Sequence, residues 1–221
     1  MKKAINLLFL FLLIAKTFGQ NDIQGFPFSF YTGIKAEYFT LGGDFNGEDY
    51  FFTDAATIFV PEIEPGFTFG FQSGLTFKNG SLDFGYQISR SNFSHVNGSY
   101  GSMLIHNIKL LGLTFYLNQA EKFRPYIASD ISLPSMNIKN GASGIDAYTG
   151  QTGKSHFSGV ILGFGAGAEW KVAKKLSVRF EALPEWFKLT NVKGITKDYW
   201  EVKKFSSFKM NISTGLYLYL F

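Results

Sequence analysis

The feature that most constrains this chain is an alternation of apolar and polar side chains that recurs in segment after segment. Between positions 67 and 77, Phe67, Phe69, Phe71, Leu75 and Phe77 share one parity, while Thr68, Gly70, Gln72, Gly74 and Thr76 share the other. Successive side chains on a strand point to opposite faces, so this pattern makes a β-strand with one apolar and one polar face. Lys78-Asn79-Gly80 follows, and Asn-Gly takes the positive φ of a tight hairpin turn. Leu82, Phe84, Tyr86 and Ile88 then alternate with Asp83, Gly85, Gln87 and Ser89, which completes a hairpin.

The same reading predicts eight strands, over 26–40, 64–77, 81–93, 103–117, 123–133, 158–171, 176–187 and 206–221. In the first, Ile34 and Tyr38 oppose Lys35 and Glu37; in the last, Met210, Ile212, Leu216, Leu218 and Leu220 oppose Lys209, Asn211, Ser213 and Gly215. The fourth changes apolar parity near Leu110-Leu111, as a β-bulge would make it do. Pro125 and Pro184 fall near strand ends, where a missing N–H is tolerated. Connections alternate between short (78–80, 118–122, 173–175) and long (41–63, 94–102, 134–157, 188–205). In an up-and-down arrangement every short turn then lies at one end and every long connection at the other.

Alternation alone does not say which face is inside. The chain holds 26 Phe, 11 Tyr and 3 Trp. An eight-stranded barrel has an interior just wide enough to be filled by side chains, and the Phe- and Leu-bearing parity would overfill it. The parity rich in glycine suits a narrow lumen. The expected fold is therefore all-β, an eight-stranded antiparallel up-and-down transmembrane β-barrel, with Phe and Leu toward lipid. The lumen parity then carries Lys35, Arg124, Arg179 and Lys209 against Glu37, Asp83, Asp130, Glu169 and Glu181. Buried charges must be paired, so these nine residues are expected to form a structural ion-pair network rather than a charged conduit or proton path.

The N-terminus reads as a secretory signal peptide. Lys2 and Lys3 precede an apolar run from Ala4 to Ala15, followed by Lys16-Thr17-Phe18-Gly19-Gln20. Cleavage after Gly19 gives a signal peptide over 1–19 and a barrel domain over 20–221. Three of the 21 basic residues leave with it, so 18 face 17 acids, and the net charge falls from +4 to +1. The sequence pI of about 9.1 thus belongs to the precursor and does not point to nucleic acid. The absence of cysteine excludes a lipoprotein anchor, a disulfide scaffold and a thiolate metal site. His95, His106 and His156 have no zinc-ligand spacing, and Gly163-x-Gly165-x-Gly167 is strand alternation rather than a phosphate loop. No cofactor is expected.

With its signal peptide, its Phe-rich strands, Phe123-Arg124-Pro125-Tyr126-Ile127 and the C-terminal Tyr217, Tyr219 and Phe221, the chain resembles the small outer-membrane β-barrels of Gram-negative bacteria. These are the barrel domain of outer-membrane protein A and its eight-stranded relatives, including Bacteroidota members. The resemblance implies residence in the outer membrane as a monomer, contact with outer-membrane lipid and lipopolysaccharide, and delivery by the barrel-assembly machinery. Tyr217, Tyr219 and Phe221 would serve as the C-terminal assembly signal. In the family's usual last strand the final Phe shares the lipid-facing parity, whereas here Leu216, Leu218 and Leu220 oppose it. Either the three aromatics sit at the periplasmic rim or a bulge near Thr214-Gly215 changes the parity. Because the chain ends at the barrel, no peptidoglycan-binding domain is expected.

Within that resemblance the expected role is noncatalytic, structural or binding through the loops. Loop 41–63, with Phe45, Tyr50, Phe51, Phe52 and Phe59, and loop 134–157 are the candidate surfaces for an extracellular partner. A narrow channel for a small apolar ligand is one alternative. Another is a lipid A deacylase-like hydrolase, since some such barrels use a His-x-Ser-Asn motif. His156-Phe157-Ser158-Gly159 matches two of its positions but lacks the Asn. The orienting acid is also missing: at ~3.3 Å per residue Glu169 is roughly 40 Å along the strand, and Glu185 falls on the lumen parity.

Overall fold

The computed structural model describes residues 28–45, 49–53, 56–59, 62–94, 100–118, 122–139, 155–193 and 205–220. The expected signal peptide, His95, most of loop 134–157 and Phe221 lie outside the described residues. The strands are β1 (Ser29–Gly43), β2 (Asp49–Thr53), β3 (Ala56–Phe59), β4 (Glu62–Ile63), β5 (Gly66–Phe77), β6 (Gly80–Ser94), β7 (Tyr100–Tyr116), β8 (Phe123–Lys139), β9 (Ser155–Ala173), β10 (Leu176–Ala182), β11 (Glu185–Lys193) and β12 (Phe205–Tyr219).

Each wall strand pairs antiparallel with its sequence neighbours, and β1 closes the ring by pairing with β12 from Tyr31–Tyr219 to Gly43–Ser207. β10 and β11 together fill one wall position, because both lie between β9 and β12 and the register to each neighbour is kept across the break between them. The wall therefore has eight members, and the fold is the antiparallel up-and-down transmembrane β-barrel that the alternation predicts. The small β2–β3 ribbon stands apart from it, and β4 pairs with the end of β6.

The Phe and Leu parity faces outward. Phe69 is 69% exposed and Ile212 70%, whereas Glu169 is fully buried inside the ring. On β8 the outward apolar stretch runs from Phe123 to Leu133, the roughly 9–11 residues that a tilted strand needs to cross a bilayer. Tyr38 packs on Phe67 and Trp186 on Phe208 toward the long-connection end of this band. Exposed Phe77, Phe115, Phe123 and Trp170 ring its short-turn end. Such girdles mark the two membrane interfaces.

Two of the wall's irregularities fall at positions the sequence marks. In β7 the register to β8 shifts between Lys109 and Leu111, and the buried positions change from Met103, Ile105, Asn107 and Lys109 to Gly112, Thr114 and Tyr116. This is the bulge expected at Leu110-Leu111. The seventh wall strand, expected over 176–187, instead breaks at Leu183-Pro184 and continues to Lys193. Proline has no N–H to give, but the break is patched from both sides. Phe164 N donates to Pro184 O at 3.1 Å, and Leu183 N donates to Asn211 Oδ1 at 3.1 Å.

Several strands outrun the prediction at the long-connection end. β8, expected to stop at 133, passes through Pro134 to Lys139, and β9 reaches 19 residues. Beyond the apolar band the two faces exchange roles. Outward positions become Thr40, Arg90, Asn92, Ser135, Asn137, Lys188, Thr190 and Ser206, while the inward ones turn apolar. Fourteen buried side chains meet there, among them Phe39, Leu41, Phe93, Met103, Ile105, Met136, Ile138, Phe157, Phe187, Leu189 and Phe205. Past the membrane band the outside is water, so the apolar side chains move to the inside. The sequence reading ended these strands where the outward apolar pattern ended, which is where the surroundings change rather than where the strand stops. Phe45, expected on an exposed loop, is 1% exposed; it stacks on Phe205 and meets Phe157 edge to face in this plug. Ile63 of β4 joins the same cluster.

Candidate functional site

The lumen is layered. Nearest the short turns lies Glu169 of β9, whose carboxylate accepts four hydrogen bonds. Arg124 Nη2 (2.6 Å) and the Tyr219 hydroxyl (2.9 Å) donate to Oε1; Arg179 Nε and the Tyr116 hydroxyl, both at 2.9 Å, donate to Oε2. The Arg179 guanidinium also donates to the hydroxyls of Tyr31, Tyr116 and Tyr219 at 3.2–3.3 Å and lies over the rings of Tyr31 and Tyr217. One carboxylate thus gathers side chains from β7, β8, β10 and β12. Charge-assisted bonds of this kind are shorter and stronger than neutral ones.

The middle layer is built around three lysines. Lys109 sits 3.5 Å from Asp83 and 3.2 Å from Asp130. Lys35 lies 2.6 Å from Glu181 and 3.6 Å from Glu37. Lys209 pairs with Glu37 and, at 3.1 Å, with Glu185. Glycine makes room for this layer, because a Cβ on Gly112 would collide with the Asp83 carboxylate and one on Gly163 with that of Asp130. The Tyr126 hydroxyl donates to Glu181 at 3.2 Å and would lie 2.6 Å from a Cβ on Gly167.

All nine lumen residues named from the sequence point into the ring, and each takes part in an ion pair. Two further members were missed, Lys109 and Glu185. Lys109 lies beside the bulge, where parity could not be carried across. Glu185 follows Pro184, where strand seven was expected to be ending, although its lumen parity was legible. With both included, the layers hold five cations and six carboxylates.

The last strand resolves the open question of its parity. Its register to β1 runs without a shift, so no bulge forms near Thr214-Gly215. Tyr217 and Tyr219 point into the lumen near the short-turn end, where the Tyr217 hydroxyl donates to Gln72 Oε1 at 3.0 Å. The Tyr217 ring lies against two glycines, since a Cβ on Gly33 or Gly215 would strike it.

The remaining candidates for chemistry lie on the outer face. His156 Nδ1 is 3.0 Å from Asn137 Oδ1 on the neighbouring strand, beyond the apolar band. An amide therefore stands where an orienting acid would be, and Glu169 is engaged by its four donors at the opposite end of the lumen. The ring of His106 stacks on Tyr86, whose hydroxyl is 2.5 Å from His106 Nδ1. Among the described residues, no group of three or more His, Asp or Glu side chains is arranged to hold a metal ion.

No protein-family model matches the chain, and no curated protein matches it by sequence. Solved structures do share its fold. Neisserial surface protein A superposes with a TM-score of 0.52 at 13% identity, over 86% of this chain and 97% of that one. The outer-membrane protein OprG of Pseudomonas aeruginosa gives 0.50 at 9% identity, over 90% and 99%. The outer-membrane protein AlkL in lipid bilayers gives 0.50 at 10%, over 88% and 91%. At such identities the likeness is one of architecture, and the architecture is that of the small outer-membrane β-barrels.

Proposed function

We propose that this chain is exported through a signal peptide cleaved after Gly19 and becomes a monomeric, integral outer-membrane protein with a noncatalytic role. It acts as an envelope component or as a binding module that works through its long connections. One observation carries this reading: the lumen is occupied by ion-pair layers in the membrane band and by an apolar plug above it. A lumen filled in this way favours a post that holds up loops over a conduit. Short turns then face the periplasm and long connections the exterior, in contact with lipopolysaccharide. Tyr217, Tyr219 and Phe221 act during biogenesis as the signal read by the barrel-assembly machinery.

The first test is fractionation. The protein should stay in the outer-membrane fraction through salt and carbonate washing and migrate differently on gels with and without boiling. A soluble protein without that shift would refute the reading. For the binding role, replacing 46–61 by a short Gly-Ser linker keeps Phe45 and Ile63 in the plug while removing the tip. Partner capture should then be lost while heat-modifiability persists. Steady ion conductance in planar bilayers would favour the channel alternative instead.

A second reading, lipid A hydrolysis, draws on the His156–Asn137 bond two residues from Ser158 on the outward face. It requires a shift in lipid A mass on expression that disappears in Ser158→Ala. An unchanged lipid A would dispose of it.

A further inference from the structure

A cavity of about 360 Å³ opens at the short-turn end of the lumen, and its lining is one-sided in charge. Lys78 from the β5–β6 turn, Lys174 from the β9–β10 turn, Lys171 and Arg124 all line it, and among the described residues no carboxylate does. Among the described residues none of the three lysines has an ion-pair partner. Behind them the nearest layer is also cationic, since Arg124 and Arg179 share the single carboxylate of Glu169. That carboxylate already accepts four hydrogen bonds and has no capacity to neutralise the mouth.

Arg124 is the built part of this site. It is 8% exposed, its guanidinium lies 3.9 Å above the Tyr116 ring, and Glu169 holds one corner. The plane is thereby fixed, while Nε has no hydrogen-bond partner. A buried guanidinium in a cleft with low-dielectric walls, beside three lysines that have no ion-pair partner among the described residues, focuses positive potential on the opening. Phe77 also lines the cavity, and together with Phe123 and Trp170 it marks the membrane interface at that end. The cavity therefore opens at the height of the lipid headgroups.

We propose that this mouth binds a phosphate group. A compact, multiply charged tetrahedral anion suits a fixed guanidinium fork flanked by flexible lysines better than a single carboxylate does. The phosphate of a lipid whose acyl chains lie along Phe77 and a free phosphate ion present the same chemistry. The site would be filled in either case.

The test uses the folded mature barrel in a nonionic detergent, titrated separately with inorganic phosphate and with dihexanoylphosphatidylglycerol, and followed by amide NMR shifts at Lys78, Lys171 and Lys174. Saturable shifts are expected with at least one probe. Saturation by inorganic phosphate identifies a free-anion site, and saturation by the lipid alone identifies a headgroup site. The Lys78→Gln/Lys171→Gln/Lys174→Gln variant, altered only in and beside turns, should bind about tenfold more weakly or worse. Lys188→Gln, at the far end of the barrel, should bind as the parent does. Arg124→Gln should abolish binding in protein that still shows heat-modifiability. Shifts that fail to saturate with both probes, or an equal loss in Lys188→Gln, would overturn the proposal. Neither result would touch the outer-membrane reading, which fractionation tests on its own.

Discussion

The two ends of the lumen solve opposite problems with one strand pattern. In the membrane band the wall turns Phe and Leu outward and encloses Lys, Arg, Asp and Glu in layers that pair one another. Above the band the same strands turn Thr, Asn, Arg and Lys outward and close over Phe, Met, Ile and Leu. The alternation continues across the boundary; only the solvent outside changes. The molecule is thus an inside-out barrel below and a water-soluble type of barrel above, joined by continuous strands. The difference teaches that burial inside this ring has two currencies, charge pairing where lipid surrounds it and hydrophobic contact where water does.

The sharpest way to break the lower half is Glu169→Ala. It strands Arg124 and Arg179 in a buried layer, and removing one partner of a buried pair costs about 3–5 kcal/mol. The loss should appear as a fall in the urea midpoint of the folded, heat-modifiable form. In the upper half, Leu189→Ala should cost about 3 kcal/mol, since it empties a fully buried position of the plug. Hydrogen exchange should accelerate first at the upper ends of β9, β11 and β12, with the lower layers still protected. A uniform loss along the wall would show that the two halves do not open separately.

The boundary can be mapped from outside with one substitution on each side. Ile212→Lys places a charge on the outward face of the apolar band and should cost about 2–4 kcal/mol in a bilayer. Thr190→Lys, on the outward face above the band, should stay within about 0.5 kcal/mol of the parent. Equal penalties would place both residues in lipid and remove the boundary. The smallest effect is expected from salt. Because the ion pairs are buried, raising salt from about 0.1 to 1 M should barely move the urea midpoint, whereas exposed pairs would be screened.

The barrel was legible in the sequence because its two determinants are local: period-two alternation and short turns such as Lys78-Asn79-Gly80. The lower lumen was legible for the same reason, since a charge on the glycine-bearing parity has nowhere else to point. The plug was not. Phe39, Leu41 and Phe205 share a parity with Lys35, Glu37 and Lys209, and nothing in alternation says at what height lipid gives way to water. Lys109 was hidden by a bulge whose place was readable but whose effect on facing was not. Phe45 shows the limit for connections, because an aromatic beyond a strand end can equally meet solvent or fold back over the ring.

Glu169 also bears on how the ring comes together. Its four donors arrive from β7, β8, β10 and β12, so no single hairpin can satisfy it, and the last contact arrives only with the last strand. A closure slipped by two residues keeps every face correct, inward and outward, and passes the test of alternation. It would nevertheless carry the Tyr31 hydroxyl of β1 away from Arg179 across the seam and leave the arginine layer incomplete. The cluster therefore works as a checksum on assembly, separating the true register from near-copies that hydrophobic patterning alone would accept.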